Sequence, residues 1–121
     1  MPLLLDGTNG LTNPTITNYT ETTFSPAANT AFTVSLANGT VQKLTTNGTT
    51  TITLPASESG KSYVIIVAYG GAHALTITGG STLKWSGGAA PAFTSASSKF
   101  DIFSFFCDGT NTYGTAIGLN Y

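Results

Sequence analysis

Residues 40–55 read TVQKLTTNGTTTITLP. The runs on either side of Asn47-Gly48 are rich in Thr, Val and Ile, which favour the half-buried, pleated environment of a strand. Asn and Gly both tolerate positive φ, and an Asn-Gly pair between strand-like runs is the strongest local signal for a β-hairpin. The stretch is therefore expected to form two antiparallel strands joined at Asn47-Gly48. Upstream, AFTVSLAN (31–38) alternates, with Phe32, Val34 and Leu36 on one face and Thr33 and Ser35 on the other. Asn38-Gly39 supplies a second expected turn.

Downstream, SESG (57–60) reads as a polar turn before KSYVIIVAY (61–69). Both faces of that run are apolar, which predicts a central strand covered on both sides. Gly70-Gly71 ends it. ALTIT then alternates, with Leu75 and Ile77 opposite Thr76 and Thr78, and STLKW follows Gly79-Gly80 with Leu83 and Trp85 in phase. KFDIFSFFCD (99–108) is the second strongly apolar run, and Asp108-Gly109 turns it into NTYGTAIGLNY. No apolar spacing of three or four residues persists, so helices are not expected. Short strands at these turn spacings predict an all-β protein, an antiparallel β-sandwich of jelly-roll type over residues 21–121. Residues 1–20 carry Pro2, Pro14 and loop-forming residues with weak alternation, and read as an extended N-terminal arm contacting neighbouring subunits.

Charged residues make up 7% of the 121-residue chain, with Lys and Arg together 4, Asp and Glu together 5, and a net charge of −1. A usual chain carries about 25%. With no basic face, nucleic acid is not an expected partner. The 40% hydrophobic content argues against disorder. The apolar run in MPLLLDGTNG is too short for a signal peptide or a membrane span, so neither secretion nor membrane association is expected. The Asn-x-Thr triplets at Asn18, Asn38 and Asn47 accordingly read as turn chemistry. Cys107, the single cysteine, lies in an apolar run and reads as a small buried side chain.

Little in the chain points to catalysis. His73 is the only histidine, and no pattern of ligands at metal-binding spacing accompanies it. No nucleophile-elbow motif and no phosphate-binding glycine loop is present. Asp6 and Asp108 precede Gly and read as turn residues, while Asp101 is expected to face solvent or pair with Lys99 or Lys84. No enzyme activity, cofactor or metal is therefore expected. Trp85, Tyr63, Tyr69, Tyr113 and Tyr121 could stack on a sugar. The shared phase of Trp85 and Leu83 predicts burial instead, with Trp85 closing one end of the core. The loop after it, with Gly87, Gly88 and Pro91, then offers a smooth surface for close approach by a neighbour.

The order of these pieces resembles a recurrent module of bacteriophage virion proteins, found in tail fibres, head fibres and capsid decoration proteins. The resemblance covers about residues 40–121. It runs through TTITLP, KSYVIIVAY, ALTITGGSTLKWSGG with its Ala-Pro loop, KFDIFSFFCDGTNTYG and a tail ending in Asn-Tyr. The opening LDGTNGLT is similar to the start of fibre and collar proteins. The resemblance implies a non-enzymatic virion component and brings no catalytic residues. Since the chain starts at Met and has no long shaft, a capsid decoration, or cement, protein on the head surface is expected over a fibre. Its partners would be the major capsid protein and further copies of itself, as a homotrimer matching local three-fold axes. Expected contact residues are Leu3, Leu4, Leu5 and Leu11 of the arm, together with Trp85, Gly87, Gly88 and Pro91. The alternatives are a short tail or head fibre recognising a host-surface glycan, and a free carbohydrate-binding module.

Overall fold

The structure is a computed structural model that describes residues 13–121. Within them the chain is all-β: β1 (Thr23–Phe24), β2 (Asn29–Thr33), β3 (Val41–Leu54), β4 (Ser62–Tyr69), β5 (Leu75–Gly79), β6 (Thr82–Trp85), β7 (Phe100–Cys107) and β8 (Asn111–Gly118). The helical content is two single 3-10 turns, at Leu36–Asn38 and Ser86–Gly88. Residues 13–22 are exposed and carry no strand. The arm residues Leu3, Leu4, Leu5 and Leu11 lie outside the described residues.

The main departure from expectation is the direction of pairing. Among the described residues, antiparallel pairing holds for β4–β7 and β7–β8. The ladders β1–β3, β2–β3, β3–β4, β3–β5 and β6–β8 are all parallel. The antiparallel jelly-roll connectivity is thus not what the chain adopts. Instead, three successive passes of the chain stack side by side. The first half of β3 lies between β1 and β4, and its second half lies between β2 and β5. Thr23, Val41 and Val64 stand in line across the passes, as do Phe32, Ile52 and Ile77.

Asn47-Gly48 explains the difference. The pair makes no hairpin but sits inside the 14-residue β3. Neither residue has the positive φ that a two-residue hairpin turn demands. Inward-facing burial keeps one phase along the strand, through Gln42, Leu44 and Thr46 and then Thr50, Ile52 and Leu54. The pair forms a corner, where the register with β2 shifts between Asn29 and Ala31. A Cβ at Gly48 would stand 2.9 Å from the Thr30 methyl, so the missing side chain lets the first pass approach this corner.

Stacking also accounts for the abundance of Thr. Thr33, Thr53 and Thr78 form one outward column, and Ala31, Thr51 and Thr76 another. Hydroxyl and methyl side by side suit neighbouring strands on a solvated face. The inward columns supply the core. Phe32, Ile52, Leu54, Leu75 and Ile77 from one half meet Leu44, Ile65, Val67, Phe103 and Phe105 from the other in a single cluster. β4 and β7 are adjacent and central, as their apolar runs predict, with Ile65 opposite Phe103, but β4 is not covered on both sides: Val64 and Ile66 lie half-buried on its outer face. The Asp108-Gly109 turn also forms as expected, joining β7 to β8 with Gly109 at φ 93°.

Asp101 requires a correction. It neither faces solvent nor pairs with Lys99 or Lys84; it is fully buried, in phase with Phe103 and Phe105. Its carboxylate accepts hydrogen bonds from the Tyr69 hydroxyl (2.8 Å), the Thr94 N–H (2.8 Å), the Thr94 hydroxyl and the Asn120 N–H (3.0 Å). Burial pushes the carboxyl up, but these donors outweigh it and hold its pKa below the ordinary value. Burial and the same contact with Asp101 push the Tyr69 hydroxyl up, so it stays a donor. One carboxylate thereby ties together the end of β4, the loop before β7 and the C-terminal tail. The tail is also pinned by reciprocal backbone bonds between Phe100 and Tyr121, at 3.2 and 3.0 Å.

Candidate binding groove

β6, β8 and β7 lie side by side in register, and period-2 alternation sorts their side chains into two kinds of row. In one row, Trp85 of β6, Gly114 of β8, Phe105 of β7 and Tyr63 of β4 stand opposite one another. This row faces the core. Tyr63 stacks on Phe105 with ring centroids 5.3 Å apart. Trp85 meets Phe105, Phe103 and Phe93 edge-on, at 5.8, 6.0 and 6.4 Å. Gly114 makes this possible, because a Cβ there would stand 3.0 Å from both the Phe105 and Trp85 rings. The two rings close over the glycine and share its space.

In the adjacent row, Lys84, Tyr113 and Phe106 stand opposite one another on the outer surface. Phe106 is 52% exposed and Tyr113 43%. Along this row lies an open groove of about 220 Å³, bordered also by Trp85, Ser86, Gly114 and Thr115. The Tyr113 ring is held by its hydroxyl, which donates to Asp108 Oδ2 at 2.9 Å. Asp108 Oδ1 accepts from the Asn111 and Thr110 N–H groups at 2.6 and 2.8 Å. The Asn111 and Thr110 N–H groups, with the Tyr113 hydroxyl, hold the Asp108 carboxyl at about 2, so it is an anion at neutral pH. The groove thus combines aromatic surface, a fixed phenol, hydroxyls and one ammonium.

Of the residues singled out from sequence, Trp85 does fill one end of the core, and it also lines the groove. Gly87 and Gly88 follow it in an exposed 3-10 turn, at φ 80° and 86°, with open space where a Cβ would stand. Pro91 is partly buried beyond them. Tyr113, one of the aromatics that could stack on a sugar, lies in the groove, and the structure adds Phe106 and Lys84 beside it. Their signal was phase: Phe106 breaks step with Phe103 and Phe105, and Tyr113 with Thr112 and Gly114.

His73 and Cys107 have structural surroundings. His73 Nδ1 lies 2.8 Å from the Thr46 hydroxyl, which also accepts from the Gly70 N–H. Cys107 is buried, with its sulfur 3.7 Å from the Thr112 hydroxyl. Among the described residues, no group of His, Cys, Asp and Glu could hold a metal ion, and no helix is long and apolar enough to cross a membrane. No family model, curated protein or solved structure matches the chain.

Proposed function

We propose that this protein is a non-enzymatic bacteriophage structural protein that decorates the capsid and cements neighbouring subunits of the head shell. The observation that carries the reading is the outer face of the sheet formed by β3, β4, β7 and β8. Val41 stands opposite Val64, and Ile66 opposite Ile102, as two half-buried apolar pairs that Ser104 and Lys43 extend on the neighbouring strands. Ile117 continues the face at 56% exposure. Charge enters within it at Lys43, whose ammonium lies 5.4 Å from the centre of the Phe100 ring. A surface of this kind, with apolar and hydroxyl side chains and little charge, suits packing against other protein. The low charge of the whole chain and the order of its motifs support the same reading.

In this reading the fold is a sandwich made from one sheet, whose two halves face each other across the core. On the shell, many copies binding across subunit boundaries would stabilise the assembled state by mass action. The arrangement we propose is a homotrimer at local three-fold axes, with the major capsid protein and other copies as partners. Electron cryomicroscopy of purified virions, with the protein located by a specific antibody, tests the reading. Regular density over the head at symmetry-related positions is the expected result. Density confined to the tail tip, or absence from the particle, overturns it.

A further inference from the structure

We propose that the groove between β6 and the β7–β8 hairpin binds a single pyranose ring of a glycan. The groove lies at one end of the same outer face that the capsid reading uses, since Phe106 is in phase with Ile102 on β7, but the proposal rests on the groove alone. Phe106 is the first reason. The core is already filled by Phe103 and Phe105, both 0% exposed, yet a further phenylalanine is held half in water beside Tyr113. Fully burying a side chain of this size is worth about 1.5–3 kcal/mol, so folding alone gives no reason to place it there.

Rigidity is the second reason. The floor of the groove is the paired backbone of β6, β8 and β7, and it is backed on the core side by the Trp85 ring, wedged edge-on against three phenylalanines. The Tyr113 ring is anchored through its hydroxyl to Asp108. Surfaces already held in place lose little conformational entropy on binding. The ring faces carry negative electrostatic potential, which attracts the polarised C–H groups on one face of a sugar.

Polar chemistry and size complete the case. The Lys84 ammonium and the Ser86 and Thr115 hydroxyls border the aromatic surface, and can donate to or accept from a sugar's hydroxyl groups. The volume of about 220 Å³ is below the roughly 300–1,000 Å³ of pockets for drug-sized ligands. It suits one six-membered ring and is short for an extended peptide, which would need a longer track of aromatic slots.

Trp85, the only tryptophan in the chain, borders the groove, so its fluorescence is a local probe of occupancy. The full chain is titrated with glucose, galactose, mannose, N-acetylglucosamine and their disaccharides, following Trp85 emission and saturation-transfer NMR of the sugar protons. At least one sugar is expected to bind saturably with millimolar affinity. Phe106→Ser, an exposed position whose replacement leaves the core intact, should weaken that binding by at least about tenfold with unchanged circular dichroism. Neither readout responding to any of these sugars overturns the proposal. So does wild-type affinity in Phe106→Ser, or saturation of the groove by a proline-rich peptide while no sugar competes. None of these outcomes bears on where the protein sits in a virion.

Discussion

Replacing Asp101 should destabilise the protein more than replacing any other charged residue described in the structure. The side chain is fully buried and is the shared acceptor for donors from Tyr69, Thr94 and Asn120. A hydrogen bond to an ionised group is worth about 1.5–3 kcal/mol, and an orphaned buried donor costs about 1–3 kcal/mol. The Tyr69 bond is buried, whereas those from Thr94 and Asn120 are partly buried and would be rehydrated in part. Asp101→Ala should therefore cost about 3–5 kcal/mol, a large share of the roughly 5–15 kcal/mol typical of a domain. Asp101→Asn keeps the shape but turns an amide N–H₂ towards donors, and should cost somewhat less. The assay is urea unfolding followed by circular dichroism, repeated from pH 7 down to pH 3. The folded-state pKa of Asp101 lies below its ordinary value of 3.8. Its stabilisation is therefore fully present above that value and is lost as pH falls through the folded pKa. The native protein should lose stability on acidification, and Asp101→Asn should lose visibly less over the same range. Asp108 titrates in the same direction, so the slope is reduced rather than abolished. A cost under about 1 kcal/mol in both variants, with an unchanged acid slope, would refute the assignment of Asp101 as the tie between these segments.

The remaining predictions address the core, the glycine under the aromatic row and the corner of β3. Ile65→Ala and Phe103→Ala remove side chains that are 0% exposed and should each cost about 2–5 kcal/mol in chemical denaturation; losses below half of that at both sites would misplace the core. Gly114→Ala sets a methyl 3.0 Å from the Phe105 and Trp85 rings, so it should cost about 1–3 kcal/mol and alter the near-ultraviolet spectrum of Trp85. Asn47→Thr should change stability by less than about 0.5 kcal/mol, because residue 47 is exposed within β3 and has no positive φ. A β-branched residue in a true two-residue hairpin turn would cost clearly more, so a large loss here would restore the hairpin.

Much of the fold could be read from the order of residues. The apolar runs at 61–69 and 99–107 are the adjacent central strands β4 and β7. Phe32 and Val34 face the core as their alternation predicts, and Asp108-Gly109 makes its turn. These features are local: period-2 burial and a turn's need for positive φ are properties of a few consecutive residues. A short repeat is also legible in the chain. Thr51-Ile52-Thr53 and Thr76-Ile77-Thr78 are the same triplet, and they lie directly side by side in the parallel ladder.

What alternation leaves open is the neighbour. A strand's N–H and C=O groups are satisfied equally well by a parallel or an antiparallel partner. Asn47-Gly48 can therefore be a hairpin in one fold and a corner in another, and the packing of three passes around one core chose the corner. Asp101 shows the same limit for a side chain. Phe100 and Ile102 offered one apolar face of β7 and Phe103 and Phe105 the other, so the local pattern did not say which face was inside. The carboxylate went inward because donors at positions 69, 94 and 120 converge on it there. The groove arose in the same way: residues 84, 106 and 113 are brought into one row by the pairing of β6 and β7 with β8, a juxtaposition that no local stretch of the chain contains.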